Sequence, residues 1–297
     1  MTQFIVATLF LIFVSLWGIS SCGPGMTVNP EDENTSSSSS SSAVEESSDS
    51  VDEDVSIQNN ACERSPGCTH WFDASDASSL YTDNTCTTSV SSDGDDVKCF
   101  ENQGSASTDE LTRAAGFIGS YEVAEVNSLS TVGFATNAYL PFTSYVPSST
   151  ELQFMVAKLT ASPSGSPGRY LYGNSGTTST DDQSGVGIDN NGYINVFHGG
   201  GIVTDSTNNF NNVILITKIV SSGTVSMRVN GIDTGTPASV GTINTSNVYY
   251  LGSNNYNSGS AGGAENWDVG EIVFYNTILD DDEIEAIETH LINKWGI

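Results

Sequence analysis

The sequence predicts an all-β protein, an antiparallel two-sheet jelly-roll sandwich with a C-terminal helix. From residue 151 onward, short stretches rich in Val, Ile, Phe and Tyr recur at intervals. Gly, Asn and Ser separate these stretches as turn residues. Short strands divided by such turns are typical of sandwiches and jelly rolls. Only the last segment has the periodicity of a helix, which adds one helix to an otherwise β-rich body.

The C-terminal segment predicts one strand, a turn and the helix. Residues 269–275 are apolar and β-branched or aromatic, as in a buried strand. Asp280 precedes Glu283 by three residues, the spacing of a capping box in which each side chain accepts from the other residue's backbone N–H. Gly296 predicts a left-handed stop. The apolar face of the helix is predicted to consist of Ile284, Ile287, Leu291 and Trp295.

The earlier strands are predicted from alternation and from continuous apolar runs. Leu152, Phe154 and Val156 share one side of a strand over 151–159. Residues 81–128 are polar and are predicted to be loop-like. The other predicted elements are a strand and turn over 70–80, a hairpin of 185–188 with 193–197, a central strand at 213–220, and strands at 224–230 and 247–251.

The composition excludes one class of partner. The chain has 8 Lys and Arg residues against 36 Asp and Glu residues, a formal net charge of −28. Nucleic-acid binding needs a basic face that neutralises phosphates. We therefore expect no nucleic acid as a partner.

The N-terminus resembles that of an exported lipoprotein. Residues 4–19 form an uncharged apolar run, shorter than the roughly 20 residues of a membrane-spanning helix. The run ends in Ile19-Ser-Ser-Cys22, which resembles the lipobox of bacterial lipoproteins. This implies a lipoprotein signal peptide over 1–21, a lipid on Cys22, and a place at the bacterial outer membrane or cell surface with the lipid as the only membrane contact. An ordinary signal peptide with an incidental Cys, or a membrane anchor, is the alternative.

Residues 22–60 are predicted to be a disordered tether and 61–297 the folded domain. Serine is unbroken from Ser36 to Ser42, with acidic residues on both sides, and no Lys or Arg precedes Arg64. Such a segment buries too little apolar surface to offset the entropy of ordering it, and its like charges extend it. Its predicted role is to hold the domain away from a membrane.

Four cysteines, Cys62, Cys68, Cys86 and Cys99, are left once Cys22 is assigned to the lipid. An even number in an exported chain predicts two disulfides, and four Cys allow three pairings. Short loops close at low entropy cost, which favours Cys62–Cys68 with Cys86–Cys99. A zinc site is disfavoured because the spacing contains no Cys-x-x-Cys pair.

Several segments, in combination and in order, resemble one family. They are Trp71-Phe-Asp-Ala-Ser-Asp76, Met227-Arg-Val-Asn-Gly231, Tyr250-Leu-Gly-Ser253, Asp268 to Tyr275, and Lys294 to Ile297. Over residues 67–297 the chain resembles the concanavalin A-like lectin/glucanase superfamily, in its laminin-G-like jelly-roll branch. The resemblance implies two packed antiparallel sheets, one of them concave, and roles in glycan or protein binding and adhesion, sometimes with Ca²⁺. The chain departs from the family at Cys99 and Phe100, where a Trp is often found.

Because the superfamily includes glucanases, we ask whether any two carboxylates have the spacing of a catalytic pair. A retaining glycosidase holds two carboxyl groups about 5–5.5 Å apart, which on a strand requires residues two or four apart. The best candidates, Glu265, Asp268 and Glu271, are spaced by three. On a regular strand Asp268 then faces away from the other two, which lie too far from each other. We therefore predict no catalytic residue and no enzyme; a glucanase-type glycoside hydrolase is the alternative.

No cofactor is predicted, with calcium as the alternative. Ca²⁺ prefers carboxylate, amide and backbone oxygens. Asp181, Asp182 and Asp189 lie in acidic loops, but none has the spacing of an EF-hand, and Asp189 is also explained by a hairpin turn. The three histidines are scattered, and His290 is assigned to the end of the final helix.

Aromatic side chains that stack on sugar rings, with nearby amides for the hydroxyls, are typical of carbohydrate sites. Of the adjacent Tyr249 and Tyr250 on one predicted strand, one must point outward. The alternative is that these rings belong to the core and edges. The sequence therefore predicts a lipid-anchored surface module that binds a polysaccharide or a cell-surface protein, with a structural surface protein as a further alternative. The candidate ligand-binding residues are Tyr250, Asn254, Asn255, Tyr256 and Trp267.

Overall fold

The computed structural model describes one part of the chain, and all of the described residues lie within 54–297. The predicted signal peptide, Cys22 and the tether up to residue 59 lie outside the described residues. So do the candidate residues Asp181, Asp182, Asn254, Asn255, Tyr256 and Glu265. The described residues are 60–106, 108–113, 118–135, 138–142, 145–160, 169–174, 183–243, 248–252 and 266–297.

Antiparallel strands make up most of the described residues, and one α-helix ends the chain. The elements are β1 (Cys68–Asp73), β2 (Leu80–Tyr81), β3 (Asp96–Val97), β4 (Cys99–Phe100), β5 (Leu111–Thr112), β6 (Gly119–Val126), β7 (Leu129–Phe134), β8 (Leu140–Phe142), β9 (Glu151–Leu159), β10 (Arg169–Asn174), β11 (Ser184–Ile188), β12 (Ile194–His198), β13 (Gly201–Thr204), β14 (Val213–Ser221), β15 (Thr224–Val229), β16 (Ile232–Ser239), β17 (Tyr249–Leu251), β18 (Trp267–Tyr275) and α1 (Asp281–Trp295). A short 3₁₀ helix, Ala77–Ser79, follows β1.

Two large sheets form the predicted sandwich. The nine-stranded sheet has the order β16-β15-β14-β9-β18-β7-β6-β3, with β1 paired to the end of β18. The six-stranded sheet has the order β13-β12-β11-β10-β17-β8, and β2, β4 and β5 form a small third sheet. The main apolar core lies between the two large sheets. A second apolar cluster lies on the other face of the nine-stranded sheet, where α1 packs.

Strand β14 shows why its sequence is almost continuously apolar. Ile214 and Ile216 belong to the core between the sheets, whereas Leu215 belongs to the cluster beneath α1. Both faces of this strand are therefore covered, so alternation with polar residues is lost. The prediction of a central strand at 213–220 is confirmed, since β14 pairs with β9 on one side and β15 on the other.

The helix begins and ends where the capping residues predict. The Asp280 side chain accepts from the Glu283 backbone N–H, and the Glu283 side chain accepts from the Asp280 N–H. Gly296 has a φ of 70°, the left-handed conformation that glycine adopts without steric cost. The predicted apolar face is buried against β9, β14 and β18. Among the described residues, no helix combines the length and the apolar character needed to cross a membrane.

The loop-like prediction for 81–128 is wrong in part, because this region contains β3, β4, β5 and all of β6. Strand β6 reads Gly-Ser-Tyr-Glu-Val-Ala-Glu-Val, and much of its middle is exposed. Its register against β7 also shifts between Glu122 and Val126, so strict alternation is broken. A polar, irregular strand of this kind lacks the period-2 signal on which sequence prediction depends.

Two disulfides hold the beginning of the described chain. Cys62 is bonded to Cys68, and Cys86 is bonded to Cys99. The first ties the residues before β1 to its first residue, and the second fastens a surface turn to β4. Disulfides persist in oxidising compartments, so they indicate an exported protein.

Candidate functional site

Strand β17 turns one tyrosine into the core and the next one outward. Tyr249 is fully buried between the sheets, and Tyr250 is partly exposed on the outer face of the six-stranded sheet. The Tyr250 ring meets the Tyr139 ring edge to face, with centroids 5.4 Å apart. The Arg113 guanidinium carbon lies 3.5 Å from the centre of the Tyr139 ring, and its Nη1 donates to the Tyr139 carbonyl at 3.3 Å. We call Arg113, Tyr139 and Tyr250 the tyrosine patch.

Two cross-strand neighbours of Tyr250 are small or compact residues, and Tyr250 itself is partly exposed. Across the strands, Tyr250 pairs with Pro141 on β8 and with Gly173 on β10. Neither residue has a long side chain that could cover the ring. The patch therefore combines an aromatic surface with a guanidinium group, which stacks on rings and donates hydrogen bonds in a fixed geometry.

Trp267, a candidate ligand residue, is a core residue instead. It is 1% exposed, and its ring stacks on Phe134 at a centroid distance of 5.1 Å. It is the first residue of β18 and faces the six-stranded sheet, so a ligand on the surface cannot stack on it. The prediction of a ligand contact at Trp267 is therefore wrong.

A bulge changes the predicted orientation of the acidic residues on β18. The register of β18 against β9 shifts between Val269 and Glu271. Trp267 and Val269 face the core between the sheets, so Asp268 faces the opposite side of the nine-stranded sheet. The extra residue at the bulge turns Glu271 to that same side, where it contacts Trp295 of α1. The prediction that Asp268 and Glu271 face opposite sides is wrong for this reason. Burial and the nearby Glu125 raise the Asp268 pKa to about 6.

Glu271 is the centre of a group that we call the helix-side cluster, made of Trp71, Asp73, Glu271, Lys294 and Trp295. One Glu271 oxygen accepts from Trp71 Nε1 at 2.7 Å. The other accepts from Lys294 Nζ at 2.7 Å and Trp295 Nε1 at 3.0 Å, and Lys294 also donates to Asp73 at 2.6 Å. Burial, followed by Asp73, raises the Glu271 pKa, and Lys294 opposes this. These bonds fasten the end of α1 to β1 and β18, which is a structural role.

A second buried group, not predicted from the sequence, lies between the two large sheets. We call Glu151, Gln153, Ser184, His198 and Lys218 the inter-sheet cluster. Lys218 Nζ lies 2.7 Å from Glu151 Oε1 and 2.6 Å from Ser184 Oγ, and His198 Nδ1 lies 3.0 Å from Ser184 Oγ. Gln153 also donates to Glu151 Oε1. Lys218 is the only charged residue within the apolar run 213–220, a signal that could have revealed the cluster.

Burial controls the protonation of this cluster. It lowers the Lys218 pKa, while the adjacent Glu151 acts in the opposite direction. Burial and the Lys218 charge lower the His198 pKa to about 4, so the imidazole is neutral at pH 7. Lys218 Nζ donates to Ser184 Oγ, and the neutral His198 ring lies within hydrogen-bond distance of the same hydroxyl. Ser184 is fully buried, however, so in this conformation no substrate reaches it.

A cavity of about 250 Å³ opens at the edge of the sandwich beside this cluster. Its wall includes His70, Tyr145 and Glu151, and its rim includes Val146, Ser148 and Thr150. We call it the edge cavity. Glu151 is 2% exposed, and its Oε2 has no hydrogen-bond partner among the described residues.

The candidate calcium ligand Asp189 serves a turn. Its Oδ1 accepts from the backbone N–H groups of Asn191 and Tyr193 at 2.8 and 3.0 Å, which closes the β11–β12 hairpin. Within the described ranges, no three His, Cys, Asp or Glu side chains lie together as a metal site would require. His290 contacts Arg64 at 3.0 Å, and burial, followed by Arg64, lowers its pKa to about 4.

The chain was compared with known families, sequences and structures. No protein-family model matches it, and no curated protein sequence is significantly similar to it. A Trypanosoma rangeli sialidase in complex with 2,3-difluorosialic acid has a TM-score of 0.50 and 13% identity; the match covers 77% of this chain and 33% of the sialidase. The chain thus spans about a third of the sialidase it matches, and at this identity the likeness is one of fold.

Two further structures are similar to a lesser degree. Domain 4 of AbnA, a GH43 extracellular arabinanase from Geobacillus stearothermophilus in complex with arabinotriose, has a TM-score of 0.48 and 9% identity, with 74% of this chain and 98% of that domain covered. A mutant of the NanB sialidase from Streptococcus pneumoniae has a TM-score of 0.39 and 15% identity, with 51% of this chain and 26% of that chain covered.

These comparisons correct one prediction. The sequence predicted that the chain is not an enzyme, whereas the solved structure that it matches at a TM-score of 0.50 is titled as a sialidase, which is an enzyme, so that exclusion is withdrawn. The likeness to it extends to the fold and assigns no catalytic residue in this chain. The chain is an antiparallel β-sandwich with a C-terminal helix, similar in fold to part of a sialidase.

Proposed function

We propose that this protein binds carbohydrate on the outer face of the six-stranded sheet, through the tyrosine patch. The observation that carries the proposal is the partly exposed Tyr250 ring. It packs against Tyr139, and the Arg113 guanidinium stacks on the Tyr139 ring. The C–H face of a pyranose or furanose ring stacks on such an aromatic surface, and the guanidinium donates to hydroxyl or carboxylate oxygens.

The structural neighbours support a carbohydrate ligand. The sialidase was solved with a sialic acid derivative and the arabinanase domain with arabinotriose, according to their titles. The two packed antiparallel sheets agree with the concanavalin A-like resemblance of the sequence. We include membership of that superfamily, in its laminin-G-like branch, in the proposal.

The proposal also places the protein at the cell surface. The two disulfides indicate export, and the lipobox-like Ile19-Ser-Ser-Cys22 suggests attachment through a lipid on Cys22. The acidic, serine-rich residues 22–60 would then hold the domain away from the membrane. In this position the partner is a polysaccharide or a glycosylated neighbour, and binding produces adhesion.

The tyrosine patch is tested by screening the purified full-length chain, in detergent, on an array of neutral and acidic glycans. We expect selective binding, and we expect Tyr250→Ala to weaken it about tenfold, the effect of losing one stacking contact of about 1.4 kcal/mol. Tyr250→Phe keeps the ring and should bind nearly as wild type. Tyr193→Ala is the matched control, because Tyr193 is also partly buried but lies in the β11–β12 turn.

The proposal fails if no glycan binds, or if Tyr250→Ala and Tyr193→Ala bind equally well. Repeating the array with EDTA tests calcium, since a metal-dependent site loses its signal. Release of reducing sugar from the bound glycans is measured in parallel, because the structural neighbours include glycoside hydrolases.

The lipid anchor is tested separately in a bacterial host. Cells fed an alkyne-tagged fatty acid should label the wild-type protein, and Cys22→Ser should abolish the label and release the protein from membranes. Ser21→Ala is the control. Labelling of Cys22→Ser would contradict the anchor and leave the carbohydrate site unaffected.

A further inference from the structure

We propose that the edge cavity is a second and separate binding site, which takes a single neutral polyhydroxylated ring of monosaccharide size. The cavity shares no lining residue with the tyrosine patch. The patch lies on the outer face of β8 and β17, whereas the edge cavity opens between the sheets beside the start of β9. This site is therefore independent of the function proposed for the patch.

The size of the cavity selects a small ligand. Its volume is about 250 Å³. Pockets for drug-sized molecules begin at about 300 Å³, so this cavity suits one ring and excludes an oligosaccharide chain that would have to enter whole.

Glu151 lines the cavity, and one of its carboxylate oxygens is left without a hydrogen-bond partner among the described residues. Glu151 is nearly fully buried, and its Oε1 is occupied by Lys218 and Gln153. Its Oε2 has no hydrogen-bond partner among the described residues. A buried polar atom without a partner is costly, so the atom is suited to accept from a hydroxyl group that enters the cavity.

Charge determines which hydroxylated molecules fit. The Glu151 carboxylate already neutralises the Lys218 ammonium at 2.7 Å, so the pair has no net charge. An anionic ligand would face the carboxylate at close range, and a cationic one would compete with the buried ammonium. Among the described lining residues, Glu151 is the only one with a carboxylate, and the nearby Asp109 is paired with His70 at 3.3 Å. A neutral ligand is therefore favoured.

The wall and the rim complete the site. The Tyr145 and His70 rings meet edge to face at 5.6 Å and are held by Phe142 and Phe274, which gives a rigid aromatic wall for the C–H groups of a ring. At the rim, the exposed hydroxyl residues Ser148 and Thr150 can contact the outer hydroxyls. Val146 is 58% exposed at the mouth.

The test uses saturation-transfer NMR on the full-length chain, with glucose, galactose and arabinose as neutral probes. Glucuronate is the anionic probe and glucosamine the cationic one. We expect at least one neutral sugar to bind with a Kd near the millimolar range, as for other small ligands, and both charged probes to bind about tenfold more weakly.

Variants locate the binding. Val146→Trp changes an exposed side chain and places a bulky ring over the mouth, so it should weaken the neutral sugar about tenfold. Val123→Trp, at a 47% exposed position on β6, is the matched control and should bind as wild type. Tyr250→Ala should leave this binding unchanged, which separates the edge cavity from the tyrosine patch.

The acceptor itself is tested with the double variant Glu151→Leu with Lys218→Met, which removes both charges together and so avoids an unpaired buried ion. It should fold and lose the sugar signal. The proposal is overturned if no neutral sugar gives saturation transfer, if Val146→Trp binds as wild type, or if the folded double variant keeps wild-type affinity.

Discussion

Two buried polar clusters lie on opposite faces of the nine-stranded sheet, and they differ in how completely they are satisfied. In the helix-side cluster, both oxygens of Glu271 accept hydrogen bonds, from Trp71, Lys294 and Trp295. In the inter-sheet cluster, one oxygen of Glu151 accepts hydrogen bonds from Lys218 and Gln153, while the other has no hydrogen-bond partner among the described residues. Both carboxylates are nearly inaccessible to solvent.

The difference separates a structural group from a candidate site. Both oxygens of Glu271 are already bonded within the protein, and these bonds fasten α1 to the sheet. Beside the inter-sheet cluster, the buried hydroxyls of Tyr172 and Tyr249 also make no hydrogen bond within the described residues. Of these unsatisfied groups, Glu151 is the one that lines the edge cavity, which makes the cavity the candidate site.

The largest expected effect comes from breaking the ion pair between the sheets. Lys218→Met leaves the Glu151 charge unpaired in the core, and we expect a loss of about 3–5 kcal/mol in the free energy of unfolding. Urea unfolding followed by fluorescence measures this loss. The double variant with Glu151→Leu should regain most of it, because no buried charge is left. A single variant as stable as wild type would show that the pair is not desolvated.

The second-largest expected effect is a loss of stability in acid that comes from His198. Its pKa is lowered to about 4, so the unfolded chain binds this proton at higher pH than the folded chain does. Stability from His198 is therefore present above its ordinary pKa of about 6.5 and is lost as the pH falls towards 4, by up to about 3 kcal/mol. His198→Asn should flatten the pH profile of the urea midpoint over this interval.

Asp268 should change stability with pH in the opposite direction to His198, so it serves as the control for that pH profile. Its pKa is raised to about 6, so the folded chain holds this proton at higher pH than the unfolded chain does. The contribution of Asp268 to the free energy of unfolding therefore rises as the pH falls from about 6 towards about 3.9, the ordinary pKa of an aspartate. Asp268→Asn should make the loss of stability in acid steeper. A flatter profile in this variant would contradict the assignment.

A smaller loss is expected on the helix side. Glu271→Gln keeps the shape but replaces charge-assisted bonds with neutral ones, and it forces an amide N–H₂ towards other donors. We expect a loss of about 2 kcal/mol in the free energy of unfolding, measured in urea. Glu285→Gln is the matched control on an exposed face of α1, with its side chain 65% exposed, and should change stability by less than about 0.5 kcal/mol. Equal effects of the two variants would rule out the structural role of Glu271.

The smallest expected effect is at the N-terminal end of α1, opposite the end that the helix-side cluster holds. Asp280→Ala removes the capping side chain, and we expect a loss of about 1 kcal/mol in thermal or urea unfolding. Asp281→Asn, one residue later, removes only a charge near the helix dipole and should cost a few tenths of a kcal/mol. If both variants behave alike, the cap contributes nothing beyond charge.

The sequence revealed those parts of the fold that depend on local chemistry. The capping box at Asp280 and Glu283 and the turn at Asp189 involve residues a few positions apart, so their spacing is visible directly. The alternation of Leu152, Phe154 and Val156 also showed that these residues share one side of β9. By contrast, the bulge at Gly270 depends on Trp295 occupying the space of a missing side chain, a contact between distant positions.

The candidate site was only partly visible in the sequence. The outward direction of Tyr250 followed from its place beside Tyr249, but its partners Tyr139 and Arg113 come from other segments. The inter-sheet cluster joins Glu151 and Lys218, which are 67 positions apart, and only strand pairing brings them together. Trp267 was misassigned because an aromatic residue beside a polar loop gives no sign of which face it covers.

The Cys62–Cys68 bridge has a mechanical consequence. A pulling force on the chain before Cys62 bypasses residues 63–67, because the covalent bond transmits the tension directly to the first residue of β1. That strand is hydrogen-bonded to β18 from Cys68 opposite Tyr275 to Asp73 opposite Glu271. Load therefore enters at a strand that α1 also clamps, through Lys294 and Asp73, so the sheet resists extension where the chain would first be pulled.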